Sequence, residues 1–188
     1  LIAVGFLLVI LAGAGLLMLP IASRGEPAGF LDALFTSTSA TCVTGLVVRD
    51  TFTGWTVFGQ LVILALIQLG GLGFMTFITL TSMLLGKRLG LYDRKVLMQS
   101  AGNITLDGTA ALIRKIIPFT FVFEFAGAAL LSIRFIPEFG VLRGIYAAVF
   151  HAISAFCNAG FDLMGMRAPF SSLTAYVSDP LVSLTICM

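Results

Sequence analysis

Two long stretches of this chain, Leu1–Ser23 and Thr51–Gly86, contain no Asp, Glu, Lys or Arg. A helix needs about 20 apolar residues to cross a hydrocarbon core of roughly 30 Å, and both stretches reach that length. A third, Ile116–Ile133, is interrupted only by Glu124. Hydrophobic residues make up 59% of the chain and charged residues 11%, with a mean hydropathy of +1.07. A chain of 188 residues folded in water could not hide that much apolar surface, so lipid is the expected solvent. In lipid each backbone N–H and C=O must be satisfied internally, and the fold expected is an all-α integral membrane one. The first stretch lacks the basic start and small-residue cleavage site of a signal peptide and reads as a span.

Within this apolar frame one short motif occurs twice. Ser39-Ala40-Thr41-Cys42-Val43-Thr44-Gly45 and Ser154-Ala155-Phe156-Cys157-Asn158-Ala159-Gly160 share Ser-Ala-x-Cys-x-x-Gly at a spacing of 115 residues. Over 30–46 against 145–161, six of seventeen positions are identical, where ordinary residue usage gives roughly one. The same offset sets the span at 1–21 against 116–136, and the apolar run from Leu66 against Leu181–Met188. Each unit therefore reads as span, polar loop with a short helix, second span. The expected organisation is a first repeat over 1–86, a basic amphipathic loop over 87–115, and a second repeat over 116–188. That second repeat reads as truncated about eight residues into its last span.

Basic residues orient the units. Lys87, Arg88, Arg94, Lys95, Arg114 and Lys115 face only Asp93 and Asp107 between the repeats, whereas the motif-bearing segments are balanced in charge. The positive-inside rule places 87–115 in the cytoplasm and both motifs toward the outside. Two spans per unit make the repeats parallel, so equivalent loops can face one another around an axis along the membrane normal. About a dozen helix-compatible residues precede each motif, Gly29–Ala40 and Arg143–Ala155. Such a helix is roughly 18 Å long and too short to cross, so it is expected to dip in and return.

Thr41-Cys42-Val43-Thr44-Gly45 then offers a run of backbone carbonyls behind the partly negative end of a helix. That arrangement can replace the water shell of a cation. Phe156-Cys157-Asn158-Ala159-Gly160 would do the same in the second unit. Val43 stands against Asn158 and Thr44 against Ala159, while Gly is kept. That pattern suits coordination of K+ by the backbone carbonyls of Cys42, Val43, Thr44, Cys157, Asn158 and Ala159. Glycine admits the positive φ that turns successive carbonyls to one side. Two ordinary turn glycines are the plainer alternative.

Three stretches carry a more specific resemblance: Thr38–Thr51, Gln68–Phe77 and Phe150–Leu163. Together they resemble the membrane subunit of the bacterial Trk/Ktr potassium-uptake family, Ktr-type favoured, which is related to plant HKT transporters. The resemblance implies four membrane–pore loop–membrane units around one ion path, with one filter Gly per unit. Gly45 and Gly160 match the first two of those glycines, and Gly45 in place of Ser implies preference for potassium over sodium. It further implies a multi-pass protein of the inner or plasma membrane, a homodimer, a cytosolic ring of nucleotide-binding regulatory subunits, and Na+ as a candidate coupling ion. No covalent cofactor, nucleic-acid partner or enzymatic activity is expected.

Other residues invite a reading of their own. Gln68, Gly70, Gly71 and Gly73 lie within the second charge-free stretch. Each Gly weakens a helix by roughly 1 kcal/mol relative to Ala, so they serve either as a gate or hinge or as a close helix contact. Glu124 should face protein, because a charge at mid-bilayer costs about 2.5–3.5 kcal/mol on insertion scales. It is read as an interhelical polar contact before ion coupling. His151, matched by Thr36, is expected to pack its helix. Arg49-Asp50 reads as an outer-mouth charge or an ion pair, Asp162 as a cation attractor, and Trp55 and Tyr176 as interface anchors. Two rivals are a secondary transporter of a small solute or another monovalent cation, and an intramembrane enzyme using His151, Cys157 or Glu124. Neither the inverted repeats of the first nor a nucleophile–base spacing for the second is present in the sequence.

Overall fold

The computed structural model describes residues 2–73 and 106–187, with side chains described over 3–73 and 116–187. The described residues are helical, apart from turns and one isolated bridge between Ser23 and Trp55. The elements are α1 (Ile2–Leu17), α2 (Phe30–Thr41), α3 (Thr51–Gly54), α4 (Val57–Gly71), α5 (Leu106–Phe139), α6 (Val141–Phe156) and α7 (Pro180–Cys187). Two 3-10 turns, Met164–Met166 and Ser172–Tyr176, lie between α6 and α7. Most of the 87–115 stretch, and the run after Gly73, lies outside the described residues. α5 begins at Leu106, within the stretch expected to be loop.

The helices end where the sequence stops them. α1 has 16 residues and closes short of Pro20, which cannot continue a helix and disfavours the helical conformation before it. It is therefore about 24 Å long, shorter than the charge-free stretch that contains it. The second stretch starts late for a similar reason. Asp50 caps α3 by accepting from the Phe52 and Thr53 amides, and Thr56 caps α4 by accepting from Gly59. The first span-like helix of that stretch therefore begins at Val57. Ile116–Phe139, within α5, is long and apolar enough to cross a membrane, while Ala3–Leu17, Val57–Gly71 and Val141–Phe156 are shorter apolar helices. Gly140, at φ 82°, reverses the chain from α5 into α6. A Cβ on Gly144 would lie 2.7 Å from the Ile136 Cα, so the two helices close backbone to backbone just beyond the turn.

Two apolar clusters hold the fold. One joins Leu17, Trp55, Ile63 and Ile67 of the first half to Phe150, Phe161 and Leu163 of the second. The other packs Leu131 and Phe135 of α5 on Ala147 and Ala148 of α6, with Met164, Tyr176 and Val182 closing it. Outside these clusters the chain shows an apolar skin. Leu7, Leu8 and Leu11 of α1, Phe119, Val122 and Phe125 of α5, and Leu142 of α6 are all exposed. A surface of this kind is matched to hydrocarbon, where close packing rather than withdrawal from water holds helices together.

The interface-anchor expectation for Trp55 and Tyr176 is corrected here. Both side chains are buried. Trp55 sits in the larger cluster beside Gly59, and Tyr176 packs on Phe135 at 5.5 Å between ring centroids. The Tyr176 hydroxyl donates to Glu138 at 2.6 Å, which supplies the polar partner that the headgroup region would otherwise offer.

Candidate functional site: two matched helix-terminal turns

α2 and α6 end in the same way. Cys42 N–H donates to Thr38 O at 2.8 Å, Val43 N–H to Ala40 O at 3.3 Å and Thr44 N–H to Ser39 O at 3.0 Å. In the second copy Cys157 N–H donates to Ile153 O at 3.0 Å, Asn158 N–H to Ala155 O at 2.9 Å and Ala159 N–H to Ser154 O at 2.7 Å. These are paired Schellman closures, which use up the last helical carbonyls and force one residue into the left-handed region. That residue is Val43 at φ 57° in one copy and Asn158 at φ 56° in the other. Two residues on, Gly45 takes φ 73° and Gly160 φ 71°.

The two glycines meet. A Cβ added to Gly45 would lie 2.7 Å from Ala159 O and 3.3 Å from Gly160 Cα, and one added to Gly160 would lie 3.4 Å from Gly45 Cα. Both glycines are favoured by their backbone angle, and Gly45 is required a second time by the approach of the Ala159 carbonyl. Thr41, Cys157 and Ala159 are buried, Val43 and Gly45 half-buried, and Cys42, Thr44, Phe156, Asn158 and Gly160 exposed. Thr41 Oγ1 is buried and has no hydrogen-bond partner among the described residues. The motif residues expected to act together are in this sense brought together, with their backbones as the meeting surface. Both helices carry the partial negative charge of a C-terminus toward that meeting point.

The turns are braced from behind. Ser39 Oγ and Thr44 Oγ1 are 2.9 Å apart, and Ser154 Oγ donates to Phe161 O at 2.6 Å. The matched residues Thr36 and His151 each bond a carbonyl one turn back, Asp32 O at 2.8 Å and Ala147 O at 2.7 Å. Leu163 N–H donates to His151 Nε2 at 3.3 Å, so Nδ1 carries the proton that goes to Ala147. With its ring 5.4 Å from that of Phe135, His151 is fully engaged in packing α6. Asp162 accepts from Met164 N–H at 2.8 Å and borders a cavity of about 120 Å³ lined also by His151, Ser154, Asn158 and Gly160.

α4 touches both turns. A Cβ on Gly70 would overlap the Thr41 carbonyl oxygen and come within 3.1 Å of Val43, and one on Gly71 would lie 2.5 Å from Cys157 Sγ. Gly73, at φ 78°, has no described residue beyond its chain neighbours within 4 Å of a Cβ placed there. Gln68 donates to Glu124 Oε1 at 2.7 Å and accepts from Cys157 Sγ at 3.7 Å, so it bonds neighbouring helices. Glu124 is buried at this contact. Arg49 pairs with Asp32 at 2.8 Å and not with the adjacent Asp50. Asp50 is itself buried and accepts Phe170 N–H at 2.9 Å in addition to its caps. No group of three or more His, Cys, Asp or Glu side chains suited to a metal ion occurs among the described residues.

Sequence reasoning passed over Gln60. It is fully buried, donates to Trp55 O at 3.0 Å and Thr51 O at 3.2 Å, and accepts from Tyr146 of α6 at 2.9 Å. An amide within a charge-free apolar run was the available signal, the one that Gln68 also gives.

Comparison with known proteins bears on this arrangement. The family model TrkH, described as a cation transport protein, matches residues 2–188. This chain belongs to the TrkH cation-transport family. Among the relatives of this TrkH chain, the Ktr system potassium uptake protein B of Bacillus subtilis is 49% identical over 98% of the chain and 40% of that protein. The potassium/sodium uptake protein NtpJ of Enterococcus hirae is 47% identical over 88% of the chain and 37% of that protein. The Ktr system potassium uptake protein B of Vibrio alginolyticus is 40% identical over 98% and 39%. The chain thus spans about two fifths of the length of the curated relatives it matches. The TrkH family is one of membrane transport proteins, not enzymes, which removes the intramembrane-enzyme reading of His151, Cys157 and Glu124.

Proposed function

We propose that this chain forms part of a potassium-selective uptake path, in which the turns ending at Gly45 and Gly160 are two of its selectivity-filter segments. One observation carries the reading: the two glycines, alike in backbone conformation, meet at the ends of two matched helices. Desolvated K+ would be held by backbone carbonyls of Cys42, Val43, Thr44, Cys157, Asn158 and Ala159, with Thr41 and Phe156 leading into the two runs. The paired helix C-termini supply a favourable potential for a cation. Relatives named for potassium uptake support the choice of ion, and one named for potassium/sodium uptake supports Na+ as a coupling or competing ion.

In this reading 1–86 and 116–188 are parallel membrane–pore loop–membrane repeats joined by the cytoplasmic loop 87–115, in a multi-pass protein of the cell membrane. Gln68, Gly70, Gly71 and Gly73 would serve as a gate or hinge beneath the filter. A homodimer and a cytosolic nucleotide-binding ring follow from the family resemblance. Inward movement of K+ gains about 2.3 kcal/mol per charge per 100 mV of membrane potential.

Gly45→Ser is the test, expressed from the native reading frame in bacteria lacking their own potassium uptake. A side chain here enters the space of Ala159 O at an unfavourable φ. Uptake is expected to lose potassium-over-sodium selectivity. Unchanged selectivity in protein present at the wild-type level would overturn the filter assignment.

A further inference from the structure

Glu124 has no counterpart in the repeat, since the matched position holds Val9. It nevertheless lies where α4, α5 and α6 meet. From α5 it accepts the Gln68 amide of α4 at 2.7 Å, and the same amide's oxygen accepts from Cys157 Sγ at 3.7 Å. Cys157 is the capping residue of α6, next in sequence to the left-handed Asn158. Beyond Gln68, Gly70 is pressed on Thr41 O and Val43 of the first turn, and Gly71 on Cys157 of the second. The last turn of α4 is therefore a wedge between both turns, with Gly70 and Gly71 at its closest approaches. Among the described residues, its polar tie to α5 is the Glu124 bond. Glycine contacts set how closely a helix approaches but resist rotation or sliding poorly. A directional hydrogen bond, with its acceptor Glu124 buried, supplies that resistance.

We propose that Glu124 is a positioning residue for the two glycine turns: through Gln68 it fixes the rotation of the α4 wedge, and so the spacing of Gly45 and Gly160. The inference rests on the reading of those turns as filter segments. It assigns Glu124 no contact with the ion; what it needs is an acceptor at that point, not a charge.

The test compares Glu124→Ala, Glu124→Gln and the double variant Gln68→Leu/Glu124→Leu with Gly45→Ser, in potassium and sodium uptake by the full protein. Glu124→Gln keeps an acceptor for Gln68 and is expected to retain wild-type selectivity. Glu124→Ala is expected to lower the potassium-over-sodium ratio by about three- to tenfold, the range one bridging hydrogen bond supports. The double variant leaves neither partner orphaned, so it guards against simple misfolding. It should show the same loss of selectivity at normal membrane levels. If Gly45→Ser alters selectivity while Glu124→Ala and the double variant match wild type, the positioning role is wrong and the filter reading stands. Loss of selectivity in Glu124→Gln equal to that in Glu124→Ala would also overturn it, since charge would then be the requirement. If Gly45→Ser has no effect, the filter reading fails and the inference falls with it.

Discussion

Val43 occupies a backbone conformation that a β-branched residue adopts rarely, since its Cγ atoms crowd the carbonyl at positive φ. The matched position holds Asn158, whose short polar side chain tolerates the left-handed region. Both are held there by the same closure bonds, so the turn geometry is imposed by the helix end and its packing, not by local preference. Residues held this way cost on the order of 1–3 kcal/mol. Val43→Asn, which copies the second turn into the first, is expected to recover about 1 kcal/mol and raise the melting temperature in detergent. A clear drop would show that Val43's packing against Gly70 outweighs the strain. Val43 could not be singled out from the sequence, because a β-branched residue carries no signal for the left-handed region.

At the scale of the elements, the segment after α6 is tied by charge. Arg134 of α5 donates to Asp179 at 2.7 Å, Arg167 to Glu138 at 2.9 Å, and both guanidinium groups lie over the Tyr176 ring. Asp179 also accepts the Leu181 amide at 3.1 Å and so caps α7. The Arg134 bond, with the helix amides behind it, holds the Asp179 carboxyl below its ordinary value. A depressed carboxylate contributes stability that is present above the unfolded pKa and is lost as pH falls through the folded one. The wild type should therefore soften below about pH 4. Asp179→Asn is expected to flatten that acid limb in thermal melts taken between neutral and acid pH. A variant that follows the wild-type profile would show that the pair contributes nothing measurable. Burial and the Glu138 bond push the Tyr176 hydroxyl well above the usual range, so it stays a donor throughout that experiment.

Across the whole molecule the two halves are not separable bodies. Gly45 meets Ala159, Gln60 bonds Tyr146, Gln68 bonds Glu124, and Asp50 takes the Phe170 amide. Asp50 is buried and accepts four hydrogen bonds, from Phe52 N, Thr53 N, Thr53 Oγ1 and Phe170 N. Asp50→Ala would orphan donors in both halves at once, at about 1–3 kcal/mol for each one left buried. The variant is expected to melt markedly lower yet still in a single transition. A second transition, with one half surviving, would mean that the halves are held together by less than these contacts.

The membrane class, the matched motif and the two short helices were legible in the sequence. Charge-free length and a recurring motif are properties of the chain itself. Gly29–Ala40 and Arg143–Ala155 fall within a few residues of α2 and α6, because capping and turn chemistry act locally. What lay beyond the sequence was which residues face each other. Trp55 and Tyr176, amphipathic on paper, turn out buried, Trp55 in the larger apolar cluster and Tyr176 with Glu138 as partner for its hydroxyl. Arg49 passes over its neighbour Asp50 for Asp32, since adjacent side chains diverge while a folded loop brings distant ones together. The repeat by itself determined that Gly45 and Gly160 hold equivalent places. Only the tertiary structure decided that they touch and that α4 is wedged against both turns, because contact depends on helix approach, and approach is set by packing across the whole molecule.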